Sequence, residues 1–113
     1  MPLVTFVQEG SAVDYTPNAD VDAGAVVVQN DLVGVTKRAV PASTLGALHV
    51  AGVFDFPKAT GASTAIAAGV EVFWDVADAE AKTDSETGAN KLIGKTVAAS
   101  GDNDATVRVR MSQ

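Results

Sequence analysis

Residues 88–96, Gly-Ala-Asn-Lys-Leu-Ile-Gly-Lys-Thr, come closest to a sequence that does chemistry. A phosphate-binding loop has four residues between its glycines, so that successive backbone N–H groups surround a phosphate, and it opens a helix. Here five residues separate the glycines, and residues 97–101 are too short for that helix. We therefore predict a strand with Leu92 and Val97 facing inward, and no nucleotide cofactor.

Two pairs of carboxylates have a spacing that calcium loops also use, Asp20 with Asp22 and Asp102 with Asp104. Neither pair is followed by the glycine and distal glutamate of a helix-loop-helix site, so we interpret both as solvated turns. His49 is the only histidine and the chain has no cysteine. We therefore expect no catalytic, metal-binding or cofactor-binding residue.

Arg108 and Arg110 alternate with valines near the end of the chain. In a strand both guanidinium groups leave the same face. That face is either solvated, with ion pairs to a neighbouring strand, or it contacts another subunit, where the arginine fork binds a carboxylate at two points.

Trp74, the only tryptophan, ends the run Val-Phe-Trp. A tryptophan in a strand either fills the core or anchors an interface, and the residues alone leave both roles open. We take Trp74, with the two arginines, as a candidate subunit contact.

The composition restricts the class of partner. The net charge of −6 argues against a surface that binds nucleic acid or an anionic membrane. No stretch approaches the roughly 18 apolar residues of a membrane helix, and the first residues lack the basic region of a signal peptide. We expect one soluble domain, residues 1–113, made in the cytoplasm.

The central stretch, residues 46–57, predicts a single strand with one apolar face. Leu48, Val50, Gly52, Phe54 and Phe56 share that face by alternation. Proline cannot donate to a ladder, so Pro57 is expected to end the strand.

The two halves of the chain on either side of this strand resemble each other. Residues 21–27 are similar to 66–72, and residues 32–36 are similar to 92–96. In the first half, Asn30 and Asp31 are placed as a two-residue hairpin turn. The pattern predicts an all-β fold, a small barrel or sandwich of two pseudo-repeated units with at most one short helix.

Two segments interrupt the repeat. Residues 77–90 add length to the second half and predict a long hairpin or a mobile loop, with a helical turn over 77–82 as an alternative. Residues 59–69, rich in alanine, predict a loop or one short helix.

The first residues, 1–8, form a separate apolar segment, which we call the arm. In an extended chain its apolar side chains point to both sides, so both faces need to be covered by other residues. It is either the first strand of the domain's own sheet or an arm that adds to a neighbouring subunit as an extra strand.

Taken in order, stretches from Phe6 to Arg110 resemble a family of small tailed-phage capsid proteins. These proteins were first classed as a domain of unknown function and are now regarded as head decoration, or cement, proteins. Some members carry a recombinase label, which the glycine spacing in residues 88–96 speaks against here. The matching stretches include Phe6-Val-Gln-Glu-Gly10, Val13-Asp-Tyr-Thr-Pro17, Gly52-Val-Phe-Asp-Phe-Pro-Lys58, Phe73-Trp-Asp75, Leu92-Ile-Gly94 and Thr106-Val-Arg-Val-Arg110.

The resemblance implies a trimer on the outer surface of the virion capsid that clamps neighbouring subunits of the major capsid protein. It carries over no catalytic residue. We expect subunit contacts at Arg108, Arg110 and Trp74. The residues expected to contact the capsid are those of the arm, Pro2, Leu3, Val4, Thr5, Phe6, Val7 and Gln8.

A rival hypothesis is an adhesion or host-binding module displayed on the phage, with residues 77–90 as its contact surface.

Overall fold

The computed structural model describes residues 3–113 and shows an all-β protein, as predicted. Within these residues the regular elements are nine strands and one 3₁₀ turn. The strands are β1 Ala12–Tyr15, β2 Val26–Gln29, β3 Leu32–Val35, β4 Gly46–His49, β5 Gly52–Pro57, β6 Glu71–Asp75, β7 Glu80–Lys82, β8 Lys91–Thr96 and β9 Thr106–Met111, and the 3₁₀ turn is Glu86–Gly88.

The strands form two antiparallel sheets. One has four strands in the order β1-β4-β3-β2, and the other has five in the order β5-β9-β8-β6-β7. The two edge strands of the larger sheet, β5 and β7, contact each other without pairing. The larger sheet is therefore curled but not closed into a barrel.

A hydrophobic core lies between the two sheets and is built mostly from aliphatic side chains, with Phe56 and Trp74 among them. The smaller sheet contributes Val33 and Val35 of β3. The rest of the cluster comes from Phe56, Ile66, Val72, Trp74, Ala81, Ile93, Val107, Val109 and Met111. Along β9 buried and exposed residues alternate strictly, which is typical of a sheet with one packed and one solvated face.

The central stretch does not form the single strand predicted for residues 46–57. It forms β4 and β5, which belong to different sheets. The chain changes sheet just before Gly52, whose φ of 120° is open to glycine and strained for other residues. Leu48 and Phe56 are both buried, as the alternation predicted, but only Phe56 belongs to the shared core.

The predicted repeat is present in detail. In each half a buried threonine, Thr36 or Thr96, donates its hydroxyl at 2.7 Å to the carbonyl two residues before a glycine. The same hydroxyl accepts the N–H of the residue after that glycine at 3.0 Å. The glycines, Gly24 and Gly69, have nearly equal φ angles of 78° and 79°. The two halves therefore share one hydrogen-bonded corner.

The β2–β3 hairpin has Asn30 and Asp31 as its two-residue turn, as predicted. Asn30 has a φ of 54°, which asparagine tolerates better than most residues. Lys91 of β8 reaches Asp31 with an Nζ–Oδ1 distance of 2.9 Å. The tip of the hairpin is thereby tied to the larger sheet.

The two interrupting segments contain no α-helix. The helical turn that residues 77–82 allowed is replaced by β7, because Ala81 is buried in the core and Lys82 pairs with Asp75 of β6. These tertiary contacts outweigh the local helix preference. Residues 59–69 form a loop, held where Ile66 exchanges two backbone hydrogen bonds with Ser100 at 2.9 and 2.8 Å.

Two polar side chains that the sequence did not single out hold distant segments together. Lys58 is 5% exposed, and its ammonium group donates to the carbonyls of Ala59, Gly101 and Asp104 at 2.7, 3.0 and 3.0 Å. The amide of Gln113 pairs with the backbone of Val33, accepting its N–H at 2.7 Å and donating to its carbonyl at 2.6 Å.

Candidate interaction surfaces

The residues that resembled a phosphate-binding loop form the end of the 3₁₀ turn Glu86–Gly88 and strand β8. The strand prediction is therefore correct. The prediction of which side chains point into the core was wrong in part. Ile93 is fully buried in β8, whereas Val97, just after the strand, is 47% exposed on the solvated side of the sheet. The ladder between β6 and β8 has an irregularity between Val72 and Phe73, and such a bulge changes which residues point inward.

The aspartates of the second pair act as turn caps, and Asp20 of the first pair accepts the N–H of Ala42 at 2.8 Å. Asp102 accepts the N–H groups of Thr64 and Ala65 at 3.1 and 2.8 Å, and Asp104 accepts that of Gly101 at 2.7 Å. In residues 3–113 no group of three or more His, Cys, Asp or Glu side chains could hold a metal ion. The same residues contain no helix long and apolar enough to cross a bilayer.

His49 lies half-buried on β4, where it pairs in register with Ala12 and Val35. Burial lowers the pKa of its imidazole, and the positive charge of Lys37 lowers it further. These surroundings disfavour the charged imidazolium.

The two candidate arginines lie on a solvated face of the larger sheet, which we call the arginine face. Arg108 donates to both carboxylate oxygens of Asp55 on β5, at 2.9 and 3.2 Å. This hydrogen bonding lowers the pKa of the Asp55 carboxyl. The ion-paired alternative considered for this face is therefore realised at Arg108.

Arg110 has different surroundings on the same face. It lies in register between Lys95 of β8 and Val53 of β5, so two cations are neighbours. Among the described residues neither cation has an ion-pair partner within 4.0 Å. Val53 and Val97 leave 54% and 47% of their surfaces exposed. The residues of the arginine face are Val53, Asp55, Glu71, Lys95, Val97, Arg108 and Arg110.

Trp74 belongs to the core. It is 6% exposed, and its ring packs at a tilt against Phe56 with centroids 6.0 Å apart. Of the two roles left open for it, the structure supports the core role. In a single copy its ring is not available to another subunit.

The described part of the arm, residues 3–8, does not join either sheet. Residues 3–10 form no strand, so of the two alternatives for the arm, the first strand of the domain's own sheet is wrong for these residues. Leu3, Val4, Phe6 and Val7 are 99%, 84%, 77% and 83% exposed. Gln8 donates its side-chain amide to the carbonyl of Ala12 at 3.1 Å. Pro2, also expected to contact the capsid, lies outside the described residues.

An apolar cleft of about 300 Å³ opens between β2 and β5, and we call it the edge cleft. Val26 and Phe54 are half-buried against the core at this place. The Lys37 ammonium lies 5.9 Å from the centre of the Phe54 ring. The cleft is lined by Gly24, Val26, Val35, Thr36, Lys37, Phe54, Asp55, Phe56 and Pro57.

Comparison with known protein families gives a match. The family model of the phage cement proteins matches residues 7–111 of this chain. Comparison with curated proteins and with solved structures finds no match. The matched region includes all nine strands and leaves most of the arm outside.

Proposed function

This chain belongs to the phage cement protein family, and from that premise we propose that it binds the outer surface of the phage head as a homotrimer. There it holds neighbouring subunits of the major capsid protein together. The family has a structural role on the phage capsid, and the proposal assigns no reaction to this chain. The observation that carries it is the family match over residues 7–111.

The arm is the proposed capsid contact, from Pro2 to Gln8. Support comes from its exposed apolar side chains, since a run of exposed apolar residues is a liability unless it has a partner. Burying such side chains contributes about 1.5 to 3 kcal/mol each, against which the entropic cost of association and of ordering the arm must be set.

The arginine face is the proposed contact between copies in the trimer. It carries three cations and two anions on a chain whose net charge is −6. Arg110 and Lys95 suit an acidic surface, which a second copy of this chain offers. Val53 and Val97 add apolar area beside them. Trp74 lies in the core on the other side of the same sheet, so it stabilises the arginine face by packing and does not contact the second copy.

The test uses capsid shells of the phage. The full chain is expected to sediment with the shells and to raise the temperature at which they break open. A variant lacking residues 1–7 is expected to keep its fold, because residues 3–7 lie outside both sheets, and to lose capsid binding. Unchanged occupancy by that variant would remove the arm as the capsid contact. Failure of the full chain to bind would overturn the proposed function.

One observation favours the host-binding alternative. In the connection between β7 and β8, Glu86 and Thr87 have φ angles of 48° and 61°, and strained non-glycine residues cluster at functional loops. Shortening this connection is expected to leave capsid binding intact under the cement proposal. Loss of host attachment with normal capsid binding would support the alternative.

A further inference from the structure

The exposed arm has two different faces. In an extended chain Val4 and Phe6 point to one side, and Leu3, Thr5 and Val7 point to the other. The first set is wholly apolar, while the second includes a hydroxyl. In the described chain neither set is covered, since Leu3, Val4, Phe6 and Val7 all expose more than three quarters of their surface.

Strand β2 offers an open edge for such a segment. It is the last strand of the smaller sheet, and among residues 3–113 it pairs only with β3. The backbone N–H of Thr36 donates to the carbonyl of Ala25 at 3.0 Å. Because ladder bonds alternate in an antiparallel pair, the N–H and C=O groups of Val26 and Val28 point away from β3. An added strand finds these donors and acceptors free.

The edge cleft lies beside this open edge. The side chains of Val26 and Val28 pack against the core from the edge and stay only half-buried, as does Phe54 across the cleft. A strand added to β2 places alternate side chains over the same face as these valines. Those side chains then fill the cleft and complete the burial of the core rim.

The arm of the same copy is poorly placed to do this. It precedes β1, and β1 and β2 are opposite edges of the smaller sheet with β4 and β3 between them. The arm of a second copy does not have to pass over β4 and β3 to reach β2. A contact that runs from the β1 side of one copy to the β2 side of the next is head-to-tail, and such contacts close into rings when the rotation allows.

We propose that the arm of one copy adds as a strand to the free edge of β2 in a second copy, with Val4 and Phe6 in the edge cleft. Leu3, Thr5 and Val7 then face outward from the assembled sheet. The exchange between copies stands on the geometry of this chain. The assignment of the outward set to the capsid rests on the proposed function.

The first experiment places the photo-crosslinking residue p-benzoylphenylalanine at Phe6 in the full chain, without capsids. Equal amounts of isotopically labelled and unlabelled protein are mixed before irradiation. The expected product links position 6 of one isotope to a peptide with residues 24–28 or 52–57 of the other. Links only within one copy, or only to other surfaces, would overturn the proposal. The same probe at Thr5 is the matched control and is expected not to reach those peptides.

The second experiment separates the two faces of the arm. The double variant Val4→Ser/Phe6→Ser is expected to weaken self-association at least about tenfold in sedimentation equilibrium. The matched variant Leu3→Ser/Val7→Ser is expected to self-associate normally and to lose capsid binding. Equal self-association of both variants and the unaltered chain contradicts the arm exchange. Normal exchange with no capsid binding by the unaltered chain contradicts the proposed function alone.

Discussion

At the scale of single residues, the burial of Lys58 is the most consequential polar feature. Its ammonium group has three donors, and three backbone carbonyls from two segments accept them within 3.0 Å. Composition and alternation gave no sign of this, because lysine is almost always exposed. The signal that could have found it is its position directly after Pro57, where β5 ends against the turn at residues 101–104.

Replacing Lys58 by methionine keeps the aliphatic stem and leaves three carbonyls without their donor. We expect Lys58→Met to lower the free energy of unfolding by about 2 to 4 kcal/mol, measured by urea denaturation. Arg38→Met, at an exposed position, is the control and should change it by less than about 0.5 kcal/mol. Equal stabilities of the two variants would show that the ammonium group does not hold the turn.

Asp75 gives a second test at this scale. Lys82 lies 2.9 Å from it and also pairs with Asp78. Hydrogen bonding from Lys82, with help from the Asp78 N–H, lowers the pKa of the Asp75 carboxyl below its usual 3.8. A lowered carboxyl pKa adds stability that is complete above about pH 4 and is lost as the pH falls through the folded-state pKa.

Asp75→Asn should therefore be less stable than the unaltered chain at pH 7, and the difference should shrink as the pH falls from 4 to 2. Urea denaturation across that range is the measurement. Asp22→Asn, at an exposed carboxyl, is the control and should change the free energy of unfolding at pH 7 by less than about 0.5 kcal/mol. A difference independent of pH would mean that charge pairing is not its source.

At the scale of elements, the two threonine corners are the repeated unit of the fold. Thr36→Val and Thr96→Val preserve shape but leave one N–H and one carbonyl unpaired in each case. Each variant should lose about 1 to 3 kcal/mol of unfolding free energy. The two losses should be similar, because the corners have the same hydrogen bonds. Thr106→Val on the exposed start of β9 is the control, and a neutral effect at either corner contradicts their equivalence.

The paired glycines Gly34 and Gly94 occupy matching places in the repeat but differ in what they touch. A Cβ at Gly34 would lie 2.2 Å from Leu48 Cγ, while one at Gly94 would lie 2.0 Å from the backbone oxygen of Arg110. Both Gly→Ala variants should be destabilised by about 1 to 3 kcal/mol or more.

Only the clash at Gly34 is with a side chain, so only it can be relieved by a second substitution. A double-mutant cycle of Gly34→Ala with Leu48→Ala should show a favourable coupling of at least about 1 kcal/mol. The cycle of Gly94→Ala with Arg110→Ala should show none. Coupling of the same size in both cycles would contradict the difference between the two contacts.

At the scale of the whole molecule, the repeat, the two-residue hairpin turn and the last strand followed from the sequence, because each rests on alternation or local turn chemistry. The change of sheet between β4 and β5 did not, since the apolar alternation of residues 46–57 runs through it unbroken. Strand β7 was also missed, because its burial depends on β6. Alternation along β9 predicted that Arg108 and Arg110 share a face. It could not predict that Lys95, Val53 and Val97 lie beside them, because that depends on the register between strands.

Pairing of β5 with β9 brings Gly52 opposite Met111 and Pro57 opposite Thr106, so the larger sheet is assembled from both ends of its stretch of chain. A ladder between such remote partners forms only after the intervening loop has closed, which slows folding to about milliseconds to seconds. The speed at which each copy matures is therefore set by a long-range search. Hairpins such as β2–β3 form much sooner, before β5 and β9 have paired.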